Sequence, residues 1–153
     1  MIEKLDETDR AILRRLQGDA TISLESLAAV LDVSVNTCWR RVKRLEEAGV
    51  ITRRVALVDP DRVGLSVTIF VAIRTSDHSA EWTERFAKTV RAIPEVVEFY
   101  RMAGEVDYLL KVLCASVADY DRVYRKLIAE ADLADVSASF AMERLKETTI
   151  VPV

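Results

Sequence analysis

Ser34-Val-Asn-Thr-Cys-Trp-Arg-Arg-Val-Lys-Arg-Leu-Glu-Glu-Ala-Gly49 reads as one helix with both ends marked. The Ser34 hydroxyl can accept from a free backbone N–H in the first turn. Gly49 can take the left-handed conformation that closes a helix. Cys38, Val42 and Leu45 recur at i, i+4 and i+7 and make one apolar stripe. The opposite face is assigned Asn36, Thr37, Arg40, Arg41 and Arg44, with Lys43 at its edge. Short hydrogen-bonding side chains come first and cations follow. That order suits a helix laid in a DNA major groove, with polar tips at base edges and charge along the phosphates. A solvated basic face has the same composition. However, Glu46 and Glu47 occupy the last turn, where the helix dipole disfavours acids, so helix stability alone does not ask for this charge order. The reading requires that the guanidinium groups not be engaged by the molecule's own acids.

Charge distribution supports a local nucleic-acid surface. The 153-residue chain has a formal net charge of −3, which by itself does not suggest DNA. From Val35 to Arg54, however, six cations face two acids, a local +4 that leaves −7 on the remainder. A basic patch suffices for phosphate contact, and an acidic remainder limits non-specific adhesion. Half of the residues are hydrophobic and 31% are charged, a balance that excludes disorder. The longest apolar run is far too short for a membrane span, and the first residues lack the apolar core of a signal peptide. A cytoplasmic, nucleoid-associated protein without membrane contact is expected. Cys38 and Cys114 are isolated in apolar patterns and read as buried thiols, not as a disulfide.

Upstream of the quoted stretch, Asp6 is a candidate cap for a first helix, with Asp9 favouring its N-terminal dipole and Ile12, Leu13 and Leu16 as its buried stripe. Ser23 can cap a second helix carrying Leu24, Leu27, Ala28 and Leu31. The short Asp32-Val33 connection then gives a helix-turn-helix. Downstream, Val50 to Val58 is β-branched and reads as an extended strand. It would place Arg53 and Arg54 beside the third helix, as a wing does. Asp59-Pro60-Asp61 is turn chemistry.

Beyond that turn the pattern is β-α-β-β-α-β: strands at 66–74, 95–102, 106–113 and 135–142, helices at 80–93 and 118–131, and a short extended tail at 148–151. This is a ferredoxin-like order, which places both helices on one sheet face. The other face is not plainly polar, since Phe70, Tyr100, Leu109 and Leu113 take outward positions. An apolar open face suggests a face-to-face homodimer, unless a one-residue register shift inverts the faces. The expected fold class is therefore α+β: a winged helix-turn-helix domain at 1–50, a strand and linker at 51–64, and a ferredoxin-like domain at 65–153.

Together these residues resemble the leucine-responsive regulatory protein/AsnC (Lrp/AsnC) family of transcription regulators. The head carries Leu5-Asp6-x-x-Asp9, Leu27-Ala28 and Ser34-x-x-Thr37-Cys38-x-x-Arg41-Val42-x-Arg44-Leu45-Glu46-x-x-Gly49-Val50-Ile51. The body carries Pro94-Glu95-Val96, Met102-x-Gly104-x-x-Asp107-Tyr108 and Ser139-Phe140-Ala141-Met142-Glu143. The tail, Lys146-x-Thr148-Thr149-x-x-Pro152, is similar to a subgroup found beside amino-acid degradation genes, but has Glu147 where an aromatic residue is commoner. Ser26 stands where the family often has Glu. The resemblance implies a sequence-specific DNA-binding regulator of amino-acid metabolism. It implies dimers that assemble further, octamers included, and a small effector, usually an amino acid, bound between bodies at the Gly-x-x-Asp turn. The DNA-binding set is then Ser34, Asn36, Thr37, Arg40, Arg41, Lys43, Arg44, Arg53 and Arg54. The effector set is Met102, Ala103, Gly104, Glu105 and Asp107, with Ser137 and Ser139 on a strand that could lie within reach. Asp107, with Glu105, could meet an α-ammonium group, while nearby N–H groups face the carboxylate. A plain hairpin turn accounts for the glycine equally well.

Enzymatic function has little support. His78 is the only histidine, no Cys/His set has metal-ligand spacing, and four separated glycines form no phosphate-cradling loop. No catalytic residue, metal or cofactor is expected.

Overall fold

A computed structural model describes residues 4–129 and 133–153. The chain divides into two compact units, Met1–Leu57 with Lys146–Val153, and Val58–Leu145.

Three helices build the first unit: α1 (Glu7–Gly18), α2 (Leu24–Val30) and α3 (Val35–Glu47). Each begins on the expected cap. The Asp6 carboxylate accepts from the Asp9 amide, and Ser23 and Ser34 accept from the Ser26 and Thr37 amides. Asp32 turns the chain between α2 and α3 with φ 52°, a conformation that Asp tolerates better than most residues. Gly49, at φ 70°, closes α3: its N–H donates to the Glu46 carbonyl, and that of Val50 to the Leu45 carbonyl, which is a Schellman ending. The core is Ile12, Leu13, Leu27, Ala28, Cys38, Val42 and Leu45. That is a small core, and partly buried neighbours including Ile51 and Val153 extend it.

Two segments lie differently from what residue order suggests. The tail, Lys146–Val153, packs with the first unit. The Gln17 side chain forks onto Val151, accepting from its N–H (2.6 Å) and donating to its carbonyl (3.1 Å), and Arg14 donates to the Val153 carbonyl. The expected strand at Val50–Val58 does not form: none of these residues lies in a helix or a strand. A strand needs a neighbour for its backbone groups, and Val55, Leu57 and Val58 are left exposed.

The second unit opens with a single 3₁₀ turn at Asp61–Val63, ended by left-handed Gly64. Its elements are β1 (Val67–Arg74), α4 (Ala80–Arg91), β2 (Val96–Arg101), β3 (Tyr108–Cys114), α5 (Val117–Ala129) and β4 (Asp135–Phe140). The expected end of the second helix, at Ala131, lies outside the described residues. The sheet order is β2-β3-β1-β4, and every neighbouring pair is antiparallel. This is the ferredoxin-like arrangement.

The face assignment holds. Ile69, Val71, Ile73, Tyr108, Leu110, Val112 and Cys114 turn inward and pack with Trp82, Phe86 and Val90 of α4 and Tyr120, Val123 and Leu127 of α5. Trp82 stacks on Phe86 at 4.9 Å between ring centroids. Phe70 and Tyr100 stand exposed on the other face, with Leu109 and Leu113 half-buried between neighbours. A register shift between Val96 and Glu98 bulges β2 at its start and leaves Val97 exposed.

Candidate nucleic-acid interface and effector site

The cations of α3 fall into two groups. At about 100° per residue, Arg41 lies only about 60° from Cys38 around the helix, beside the buried stripe and not opposite it. It is half-buried and reaches α1. Its Nη1 donates to Asp6 Oδ2 (2.7 Å) and to Asp9 Oδ1 (2.9 Å). Arg44 Nη2 donates to Asp9 Oδ2 (2.7 Å). The Asp9 side chain is 1% exposed, so a buried carboxylate is balanced by two guanidinium groups. The same carboxylate accepts from the Asp6 amide, which completes a capping box. Arg41 and the Asp9 amide also hold Asp6 below the usual carboxylate range, the amide having the larger effect.

This corrects the expected face. Arg41 and Arg44 are engaged by the molecule's own acids, and Arg54 pairs with Glu46 at 3.0 Å. The Arg54 pair, with a Lys43–Glu47 contact of 3.7 Å, also gives the two acids of the last turn their partners. What remains outward on α3 is Asn36, Arg40 and Lys43, all exposed, and Arg53 is exposed just beyond it. Thr37 is half-buried and accepts from the Ser34 hydroxyl at 2.8 Å, so both hydroxyls serve the helix start. Trp39, absent from the predicted set, is 45% exposed, with Lys43 Nζ 5.1 Å from its ring centroid. The wheel that placed Asn36 and Lys43 outward also placed Trp39 next to them. A search for polar side chains passes over it.

In the second unit the predicted turn joins β2 to β3. Met102, Ala103, Gly104 and Glu105 are exposed, and Met102 N–H donates to the Asp107 carbonyl (2.8 Å). Gly104 has φ 134°, which side-chain-bearing residues rarely adopt. Asp107 is not a free ligand. Its Oδ2 accepts from the Thr75 amide (2.8 Å), and its N–H donates to the Ile73 carbonyl (3.0 Å). Its other oxygen stands 3.8 Å from His78 Nδ1. The carboxylate therefore ties the turn to the end of β1 with one oxygen, and its other oxygen faces His78. Ser137 and Ser139 are exposed on β4, opposite Ala72 and Phe70. One strand, β1, lies between β4 and the hairpin, a distance of two strand spacings of about 4.8 Å each, so one chain does not gather serines and turn into a single pocket. A shallow cleft of about 380 Å³ opens near the same end, lined by His78, Thr83, Glu84, Arg91 and Arg101 among others. Among the described residues no group of His, Cys, Asp or Glu could hold a metal ion, and no helix is long and apolar enough to cross a membrane.

Comparison with known proteins agrees with both halves of this architecture. A winged helix-turn-helix DNA-binding model matches residues 5–52, and an Lrp/AsnC ligand-binding-domain model matches residues 68–151. The glutamate uptake regulatory protein of Zymomonas mobilis is 51% identical over 152 residues, covering 99% of this chain and 93% of that protein. The DNA-binding transcriptional activator DecR of Escherichia coli is 47% identical over 150 residues, covering 97% and 99%. Among solved structures, an AsnC family regulator from Agrobacterium tumefaciens superposes with a TM-score of 0.93 at 52% identity, covering 97% of each chain. A Neisseria meningitidis regulator solved with L-methionine gives 0.91 at 31% identity, also covering 97% of each. With a helix-turn-helix head, a ferredoxin-like body and full-length relatives of this kind, the chain belongs to the Lrp/AsnC family of DNA-binding transcription regulators.

Proposed function

We propose that this chain regulates transcription of amino-acid metabolism genes by placing α3 in the DNA major groove, under the control of an amino acid bound by the second unit. The observation that carries the first part is the division of α3. Asp6 and Asp9 hold Arg41 and Arg44 against α1, and the outer face presents Asn36, Arg40 and Lys43 to solvent, Lys43 with only a long 3.7 Å contact to Glu47. Asn and Arg are side chains that read adenine and guanine edges bidentately, and Lys43 and Arg53 supply phosphate contacts. A gel shift with duplex DNA from upstream of the chain's own gene tests this. Binding that weakens steeply with salt supports it, and no binding at low salt refutes it.

For the second part, support comes from the turn at Gly104 with its partly exposed Asp107 carboxylate, and from the relative crystallised with L-methionine. We place the effector there, with its ammonium group near Asp107 and Glu105. Ser137 and Ser139 reach it only from another copy. Two copies pair through the open sheet face around Phe70, and such dimers assemble further, to an octamer. The effector changes how dimers assemble and so how their heads are spaced on DNA. Thermal-shift screening against all amino acids identifies the effector, because a ligand of the folded state raises the melting temperature. Sedimentation with that ligand reads the assembly. No shift with any amino acid refutes the proposed effector class.

A further inference from the structure

The outer surface of α3 has two parallel ridges. One is Asn36 and Arg40, spaced i, i+4. The other is Val35, Trp39 and Lys43, spaced i, i+4, i+8. The second ridge begins apolar and stays uncovered: Val35 is 43% and Trp39 45% exposed. Nothing in the head's core claims the indole, since the core uses the stripe of Cys38, Val42 and Leu45. Lys43 Nζ sits 5.1 Å from the ring centroid, so a cation covers part of the ring on its C-terminal side. A large aromatic group is thus held in a defined place, one residue before Arg40 and three after Asn36.

We propose that Trp39 is a specificity-determining residue that reads the C5-methyl group of thymine in the major groove. This rests on the reading that α3 enters that groove. In the major groove only thymine presents an apolar group, while every other mark there is a donor or an acceptor. Asn36 and Arg40 match the polar marks, and Val35 with Trp39 matches the apolar one. At about 1.5 Å rise per residue, Trp39 and Arg40 stand at nearly the same height along the helix. They address neighbouring positions of one site. The indole N–H is a donor only and can reach a phosphate or a base acceptor without competing for the methyl. Lys43, stacked on the ring, offers its charge to the backbone alongside.

The test begins by selecting duplexes from a randomised library with the full-length chain. Each thymine of the enriched duplex is then replaced by deoxyuridine, which removes the methyl and nothing else. Wild-type protein is expected to lose about fourfold in affinity at one or two positions, the worth of one methyl-sized group moved out of water. Trp39→Ala should bind the thymine duplex several-fold more weakly and be indifferent to the replacement. Trp39→Phe, which keeps an apolar ring, should retain the sensitivity. The inference is overturned if Trp39→Ala enriches the same duplexes with the same deoxyuridine sensitivity. It is equally overturned if Trp39→Ala weakens all duplexes alike, or alters only the assembly state. If the wild-type chain enriches no duplex at all, the groove reading itself is lost and this inference goes with it.

Discussion

Arg41 Nη1 donates to Asp9 Oδ1 across 2.9 Å, joining the third helix of the head to the first through a carboxylate that is almost wholly out of water. Arg44 holds the other oxygen of the same carboxylate. Two half-exposed cations thus share one buried anion, and Asp6 adds a second acid to the cluster at the surface. The joint ties α3 to α1 on the side away from Arg40.

Removing that anion should cost stability. Breaking a fully buried pair typically costs 3–5 kcal/mol, but both guanidinium groups can rehydrate here, so Asp9→Asn is expected to cost roughly 2 kcal/mol. Chemical denaturation of the variant measures this. A midpoint shift of negligible size would show that the cluster is a surface feature after all.

The same joint separates two kinds of arginine in DNA binding. Arg40 faces outward, so Arg40→Ala should reduce the slope of log affinity against log salt by about 1. Arg41 is already balanced by Asp6 and Asp9 and releases little counterion. Arg41→Ala should therefore lower the melting temperature while leaving the salt slope nearly unchanged. Equal slope losses for the two variants would place Arg41 on phosphate.

Much of this organisation is legible in the amino-acid sequence, and the reasons for the exceptions are physical. The caps Asp6, Ser23 and Ser34 and the ending at Gly49 are local hydrogen-bond chemistry, which a few neighbouring residues determine. The inward and outward faces of β1 follow from alternation alone. By contrast, the pairing of Arg41 with Asp9 spans 32 positions, and charge counting treats a paired arginine and a free one alike. Asp9 reads as a helix-dipole residue because its burial depends on how α3 packs, which no local window contains. The packing of the tail is hidden for a similar reason: Gln17 and Val151 are 134 positions apart. Asp107 and Thr75 meet only once β1 and β3 are paired.

Several carboxylates are held below their ordinary value of 3.8. They are Asp6, chiefly by the Asp9 amide; Asp19, by the Thr21 hydroxyl; Asp77, by the Ser79 amide; and Asp119, by the Ser116 hydroxyl. A carboxyl with a lowered folded value contributes stability that is present above pH 3.8 and is lost as pH falls through the lowered value. These groups should therefore leave thermal midpoints flat from neutral pH to about pH 5 and lower them below about pH 4. Asp6→Asn should melt earlier than wild type at neutral pH, with the gap closing in strong acid. A gap that widens on acidification would reverse the sign of this argument.

Cys38 and Cys114 are buried, and burial pushes both thiols up, away from the reactive thiolate. Neither should react with a thiol-specific disulfide reagent at pH 8 in the native protein, and both should react in denaturant. Rapid labelling of Cys38 in the native state would mean that the head opens far more readily than its core suggests.

The open sheet face gives the last expectation. Phe70 is exposed on β1, a central strand, with Lys111 and Ser139 as its neighbours on β3 and β4. Lys111 is paired with Glu98 at 3.3 Å and is only 19% exposed, so a cation already stands in the middle of this surface. In the face-to-face pair proposed above, one substitution at Phe70 acts in both copies. Phe70→Glu would remove an aromatic ring from each copy's side of the contact and put a carboxylate there that must lose its water for the two faces to close. Within one chain the same carboxylate has Lys111 beside it, so the fold should survive. Sedimentation should show a folded monomer, with circular dichroism unchanged from wild type. DNA affinity should fall with it, because two heads no longer bind as one. A variant that still sediments as a dimer would assign the pairing to another surface.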